Sequence, residues 1–279
     1  MAEDTAGAAT DTASAVNAFS HLDHSGIAPE LLEMMRRLDQ NAGIVRLGEW
    51  AFATLAVQPG ETVLDAGCGL GFDTQRLARL AGPTGSVLGV DFSDAMVTGA
   101  RSLLTAETAH VSYVAGDVTA LDLPDGSFDV VHCERVLQHL EDPRRAVAEL
   151  VRVTRPGGRI ALLDTDWFTS TSSAGTDEVA AIVLPATTMI ARSPRVGRHL
   201  TVLLRNAGMD IVGIEVSAVQ TDRDTVLGPP FTLLPEMAAT TGVADRDVVQ
   251  RWVDEVGEQA RAGYLAQAVT MFGVVATKP

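Results

Sequence analysis

The chain has 279 residues, 46% of them hydrophobic, with 36 acidic against 21 basic side chains and a formal net charge of −15. That length can bury one substantial core, so one domain with additions is the economical expectation, and the negative balance excludes nucleic acid and anionic membranes as natural partners. No apolar run reaches the roughly 18 residues needed to cross a bilayer, and the acidic, Ala- and Thr-rich amino terminus lacks the basic-then-apolar order of a secretion signal, so a cytoplasmic location is expected.

In chain order, residues 1–17 read as a disordered tail and 18–57 as a helical cap, because from Pro29 to Val57 the apolar residues recur at helical spacing: Leu31, Leu32, Met35 and Leu38, then Ile44, Leu47, Trp50, Ala51 and Leu55. His21 and His24 flank Asp23 in a segment too weakly patterned to place. From Glu61 to Asp164 strands and helices alternate, which predicts a parallel sheet with helices on both faces and ligand sites at the carboxyl ends of the strands. A first strand, Val63-Leu64-Asp65, runs into Gly67-Cys68-Gly69-Leu70-Gly71 and a helix over 73–81. Glycine at those places permits positive φ and lets a ligand lie on the backbone. A second buried strand over 86–90 ends at Asp91, where a carboxylate can accept from both hydroxyls of a ribose. Further strands are expected before Asp164. This order sets Asp65, Asp91, Asp117 and Glu134 at strand ends.

Past the fifth strand the alternation stops. Residues 168–192 are Ser- and Thr-rich and then apolar, with a helix over 179–190 bent or broken by Pro185. A helix over 196–207 ends at Gly208 and leads to a sixth strand over 211–219. Roughly fifty residues then precede the terminal strand over 268–277, far too many for a hairpin loop. Segments 168–195 and 224–262 are read as a lid on the domain formed by 58–279. Cys68 and Cys133 make neither a disulfide framework nor a zinc spacing, and no metal is expected.

The glycine spacing decides which cofactor the loop suits. A dinucleotide fingerprint needs a third glycine where Phe72 or Thr74 stands. The alternating glycines, with an acid two residues before the first, resemble motif I of class I S-adenosylmethionine-dependent methyltransferases. Tyr113-Val114-Ala115-Gly116-Asp117-Val118 resembles the family's adenine-binding motif, and 124–131 and 155–160 its later turns and strands. The segment Val136-Leu137-Gln138-His139-Leu140-Glu141-Asp142-Pro143 is similar to small-molecule methyltransferases of the type 11 group, which includes quinone-biosynthesis enzymes. The resemblance covers about residues 60 to 165, with a weaker echo in the last strand.

It implies a Rossmann-like α/β fold: a seven-stranded, mostly parallel sheet with the last strand antiparallel, helices on both faces, an N-terminal helical cap and lid insertions. It implies S-adenosylmethionine as cofactor, released as S-adenosylhomocysteine. The implied cofactor residues are Asp65, Gly67, Cys68, Gly69, Gly71, Asp91, Phe92, Met96, Gly116, Asp117, Val118 and Glu134. Arg46 is a candidate for the methionine carboxylate, with Arg36, Arg37 or plain solvation as alternatives.

The lid is poor in basic and rich in apolar residues, which points to an apolar small-molecule acceptor. Asp164, Trp167, Met189, Phe231 and Leu234 are candidates for touching it. His139 is the candidate general base and Asp166 a candidate to orient the nucleophile, although a helix-end histidine and a capping aspartate are the bland alternatives. His199 reads as a surface or packing residue. No Gly-x-Ser-x-Gly elbow, phosphate loop or His-Glu-x-x-His appears, and 131–136 lacks the Asp/Asn-Pro-Pro-aromatic motif of methyltransferases acting on DNA bases. The expected function is methyl transfer to O, N or electron-rich C in natural-product, including antibiotic, biosynthesis. The alternative is a protein of this fold that binds the cofactor but catalyses cyclisation or rearrangement. A nicotinamide oxidoreductase is disfavoured by Phe72 and Thr74, and a homo-oligomer remains compatible with the composition.

Overall fold

The computed structural model describes residues 29–105, 108, 110–176, 179, 191–228, 231–242 and 244–279. The expected tail, His21, His24, Met189 and, Val179 apart, the helix over 179–190 lie outside the described residues.

Two helices come first, α1 (Pro29–Asp39) and α2 (Ala42–Leu55), the second capped by the Asn41 side chain accepting from Gly43 N. The alternating region then gives β1 (Thr62–Ala66), α3 (Phe72–Ala81), β2 (Ser86–Asp91), α4 (Asp94–Ser102), β3 (Val111–Ala115), β4 (Phe128–Glu134), a 3-10 turn (Leu137–His139), α5 (Pro143–Val153) and β5 (Thr154–Ser172). After it come α6 (Val196–Asn206), β6 (Asp210–Gln220), α7 (Arg223–Val226), a 3-10 turn (Phe231–Leu233), α8 (Leu234–Thr241), α9 (Arg246–Ala262) and β7 (Gln267–Thr277). The seven strands form one sheet in the order β3-β2-β1-β4-β5-β7-β6. β1 to β5 pair in parallel, and β7 runs antiparallel to both its neighbours. This is the Rossmann-like sheet expected.

Strand alternation divides the core. Val63, Val130, Ala161 and Leu163 face a layer of α2, α3 and α4 built on Leu47, Leu55, Leu77 and Val97. Leu64, Val131, Ile160 and Leu162 face α5 and α6 through Val147, Leu150, Leu200 and Leu204. Strands buried on both faces explain why β1 and β4 read as nearly continuous apolar runs. A third cluster joins Ala174 to Val226, Leu234, Ala238, Val249, Trp252 and Val256, so α7, α8 and α9 carry a small core of their own.

β5 is longer than the sequence pattern suggests. Its pairing with β7 breaks between Asp166 and Thr171 and resumes at Thr171↔Ala268 and Ser172↔Gln267. Across the break, Thr169 Oγ1 donates to Asp166 O and Ser170 Oγ to Trp167 O, both at 2.7 Å. The hydroxyl-rich stretch that looks like the start of a lid is thus a strand with a bulge, its side chains bonding backbone left unpaired by the ladder.

Helix α6 lies directly on the β5 backbone at Gly197, where an added Cβ would sit 2.7 Å from Asp164 O and 2.8 Å from Thr165 C. Because neither strand nor helix can yield there, Gly197→Ala should lower stability by about 1–3 kcal/mol, the usual cost of overpacking. Urea denaturation checks this, and a midpoint equal to that of the parent protein would disprove the contact.

Candidate functional site

The loop between β1 and α3 is stitched to β2 by its own backbone. Gly67 N and Cys68 N both donate to Val90 O, at 2.7 and 3.0 Å, and Gly71 N donates to Cys68 O at 2.8 Å. Gly67 has φ +78°, and a Cβ there would meet Val136 Cγ2 at 2.1 Å. Gly71 has φ +81°, and a Cβ would meet Tyr113 Oη at 2.3 Å. Both positions therefore require glycine twice over, by torsion and by space.

Asp91 closes the loop from the side. Its Oδ2 accepts from Gly69 N at 2.8 Å and its Oδ1 from Ser93 N at 2.9 Å. These two bonds fix the orientation of the carboxylate. Phe92 beside it is 63% exposed, an unusual fate for a large apolar ring, and Met96 on the first turn of α4 is buried. Asp117 is exposed beyond β3, with Oδ1 accepting from Thr119 N at 2.7 Å, and follows the half-buried Gly116; Val118 is buried behind them. A loop of backbone amides, a carboxylate one strand over and an exposed ring together suit a nucleoside lying across the strand ends. Cys68 and Cys133 are buried, and burial raises both thiols above their ordinary range, so neither supplies a thiolate.

Beneath the loop lies a layer of buried polar groups. The register sets Asp65 on β1 against His132 on β4. His132 is wholly buried, and its Nδ1 lies 2.9 Å from Asp65 Oδ1 while Thr74 Oγ1 donates to Asp65 Oδ2 at 2.5 Å. Phe52 of α2 covers the imidazole at 5.4 Å between ring centres. Burial works against the charged imidazole, but the hydrogen bond and charge of Asp65 overrule it and raise its pKa to about 9. Glu134, with a side chain only 5% exposed, accepts from Arg135 Nε at 3.0 Å. Burial, reinforced by the Asp73 carboxylate, raises the Glu134 pKa against the opposing charges of Arg135 and His132. Arg135 itself has φ +56°, a left-handed conformation rare for a side-chain-bearing residue, fixed by its amide donating to Leu163 O. Asp73 pairs with Arg76, which also reaches Asp39 on α1.

Several predicted site residues are placed elsewhere. Arg46 is exposed and its Nη2 donates to Ser217 Oγ at 2.8 Å on β6, four strands from β1 in the sheet, or roughly 19 Å at about 4.8 Å per strand. It is not brought to the loop, because helical spacing alone gives no strand order. Asp166 is wholly buried, with Oδ2 paired to Arg198 of α6 and Oδ1 accepting from Phe168 N at 3.1 Å, so it fastens a helix to the sheet and cannot orient a nucleophile. Asp164 is also wholly buried and accepts from Gln138 N at 3.2 Å and Thr165 N at 2.8 Å, anchoring the turn at 137–139 instead of touching an acceptor. Trp167 spends its Nε1–H on Gln138 Oε1 at 2.6 Å, and its backbone N donates to Pro194 O. Phe231 stacks on Trp252 at 6.4 Å and Leu234 is 2% exposed, so both belong to the small core of α7 to α9. His139 does stand beyond the end of β4, in the turn that Asp164 anchors; burial, with the charge of Arg135, lowers its pKa to about 4.

His132, Asp73 and Thr74 escape the sequence reading. The one available signal was a histidine inside an otherwise apolar strand, Val130-Val131-His132-Cys133, and its meaning depends on β4 lying beside β1.

Comparison with known proteins agrees with this geometry. Residues 64–162 match a family model described as a methyltransferase domain. An uncharacterized 37.1 kDa protein in transposon TN4556 of Streptomyces fradiae is 38% identical over 227 residues, 80% of this chain and 64% of that one. An arsenite methyltransferase of Halobacterium salinarum is 40% identical over 115 residues (41% of this chain, 29% of that one), and a demethylmenaquinone methyltransferase of Shouchella clausii 37% over 110 (39% and 47%). The chain thus spans between 29% and 64% of the length of these relatives. Among solved structures, the [4+2]-cyclase SpnF is 25% identical with a TM-score of 0.52, covering 84% of this chain and 80% of its own. A SAM-dependent methyltransferase from Aquifex aeolicus shares the fold at a TM-score of 0.56 and 18% identity, over 91% of this chain and 100% of its own.

Burial, only partly offset by the amides it accepts from, raises the Asp164 pKa to about 7. A carboxyl whose folded-state pKa lies above its unfolded value of about 3.9 adds to stability below that value and loses the contribution as pH rises through 7. The stability of the protein relative to Asp164→Asn should therefore fall between pH 4 and 7. Denaturation curves across that range measure it, and a pH-independent difference would contradict the buried carboxyl.

Proposed function

We propose that this chain, which carries a methyltransferase domain of the S-adenosylmethionine-dependent class over residues 64–162, transfers a methyl group to O, N or electron-rich C of an apolar small molecule in secondary-metabolite, including antibiotic, biosynthesis. The observation that carries the cofactor reading is the glycine loop stitched to β2 with Asp91 beside it and Phe92 exposed next to that carboxylate. When bound, S-adenosylmethionine supplies a methyl group already activated on a sulfonium. The residues of this chain then have three tasks. The Asp91 carboxylate accepts from the ribose hydroxyls, Asp117 receives the adenine amino group, and Phe92 and Met96 provide apolar surface for the base. The loop backbone from Gly67 to Gly71 bears the methionine end, with Glu134 at its edge. Much of the acceleration in such a transfer comes from alignment, worth roughly 7–11 kcal/mol where geometry is favourable. His139 is our candidate base for acceptors that must lose a proton.

The acceptor enters between the strand ends and the segment 224–262, which we read as a lid over a domain of 58–279, since 168–172 belongs to β5. No helix among the described residues is long and apolar enough to cross a membrane. We assign the protein to the cytoplasm, acting on a free small molecule without nucleic acid or membrane, as a monomer or homo-oligomer.

A second reading has one observation in its favour, the 25% identity to the [4+2]-cyclase SpnF. In it the cofactor loop is kept and the acceptor pocket performs a cyclisation or rearrangement. Product mass separates the two, since transfer adds one methyl and rearrangement adds nothing. Incubation with methyl-labelled S-adenosylmethionine and a panel of phenols, indoles, amines and terpenoids should place label in one product class. An isomer of unchanged mass would favour the second reading.

Asp91→Ala should weaken S-adenosylmethionine binding by about 1.5–3 kcal/mol, the worth of hydrogen bonds to a charged group; calorimetry showing equal affinity would remove the ribose role. His139→Ala should lower turnover with cofactor affinity unchanged if the imidazole is the base. Turnover equal to the parent's would return it to a structural part.

A further inference from the structure

Asp73, His132 and Glu134 each bring one donor atom into a cluster in which all three lie within 4.8 Å of one another. His132 is wholly buried and its Nε2 has no hydrogen-bond partner. That nitrogen faces Glu134 Oε2 at 4.0 Å, too far for a hydrogen bond and the right scale for something between them. The neighbouring arginines leave this oxygen alone, since Arg135 Nε takes Glu134 Oε1 and Arg76 Nη1 takes Asp73 Oδ1.

We propose that Asp73, His132 and Glu134 ligate a divalent transition-metal ion of the zinc or manganese type, with Asp65 orienting the imidazole from behind. One imidazole nitrogen and two carboxylate oxygens form a mixed donor set suited to such ions, whereas calcium and magnesium prefer oxygen alone. The second ring nitrogen of His132 is already held by a carboxylate, at 2.9 Å from Asp65, and Asp65 is held in turn by Thr74. A histidine ligand in proteins is commonly oriented in this way. Three bonds of about 2.1 Å around one ion put donors roughly 3.4 to 3.6 Å apart, so a cluster whose donors lie within 4.8 Å of one another closes by about 1 Å on binding. The two carboxylates neutralise the ion, with Asp73 on the solvent side and His132 and Glu134 on the buried side. No spacing in the sequence announces the site, because its ligands come from the carboxyl end of β4 and the first turn of α3. An ion there would tie β4 to the turn that follows Gly71.

The test uses the full chain, stripped with a chelator, dialysed into about 0.15 M salt and titrated with Mn²⁺ while the electron-spin resonance of the free ion is followed. One ion should bind per chain. Asp73→Asn and Glu134→Gln should each weaken it by tenfold or more, Asp65→Asn by about 10- to 100-fold, and Glu236→Gln, on the exposed lid surface, not at all. Zn²⁺ should displace the bound Mn²⁺ and raise the thermal midpoint of the parent more than that of Glu134→Gln. Asp73 is near the surface and its variant should fold, as circular dichroism will verify. No saturable one-to-one binding, or equal affinity in the Asp73 and Glu134 variants, would overturn the proposal and assign any bound ion to the acidic surface. S-adenosylmethionine binding measured in chelator tests the proposed function separately, so one can fail while the other stands.

Discussion

The hydrogen bond from Gly69 N to the Asp91 carboxylate, together with the two bonds that Val90 O accepts from Gly67 and Cys68, holds the loop after β1 against the end of β2. Everything else at the strand ends is arranged around that junction. A loop with three glycines is entropically costly to order, and here its amides are taken up by a neighbouring strand before any ligand arrives. The cost is met by folding, and a ligand meets a surface that is already shaped. The same carboxylate that fixes the loop is the group proposed to bind ribose, so structure and recognition share one side chain.

Below this junction the sheet carries charge where its neighbours are apolar. Asp65, His132 and Glu134 are nearly excluded from water, and buried ionic groups survive only when paired. Asp65 and His132 satisfy each other through Nδ1, with Thr74 completing Asp65. His132 Nε2 is left 4.0 Å from Glu134 Oε2, within reach of charge pairing but too far for a hydrogen bond. Arg135, held at positive φ between β4 and the turn at 137–139, adds backbone strain at the same place. Backbone strain and a buried nitrogen without a hydrogen bond thus lie side by side.

The alternation of strands and helices, the glycine loop and the acids at the ends of β1, β2 and β4 were legible because each rests on a local rule: buried parallel strands read as apolar runs, and turns at positive φ need glycine. Asp164 and Asp166 were misjudged for a common reason. An aspartate near the end of a strand looks the same in sequence whether it faces a ligand, anchors a turn or grips a helix. Only the side of β5 on which Asp164 and Asp166 project, toward α6 and the turn at 137–139, settles which. Arg46 failed for a different reason: its helix crosses the sheet, and position along a helix does not say which strand lies beneath. His132 was missed because its partner Asp65 is 67 residues away, and they meet only through the pairing of β1 with β4.

The state of His139 bears on what kind of acceptor suits this pocket. With a pKa near 4, its imidazole is unprotonated at neutral pH and thus available as a base, yet it is a weak one, since proton affinity falls with pKa. A nucleophile whose proton is tightly held would gain little from it. An amine with a free lone pair, an electron-rich carbon or an acidic phenol would need little. For those acceptors the proposed transfer would draw its driving force from the sulfonium and its alignment from the protein, which demands a rigid loop more than a strong base. The structure is built with that emphasis: a loop pinned by three backbone-donated bonds, a turn at 137–139 fastened by a buried carboxyl, and helices α7 to α9 with a core of their own around Trp252. That cluster is separate from the two that flank the sheet, so its packing does not depend on the strand ends.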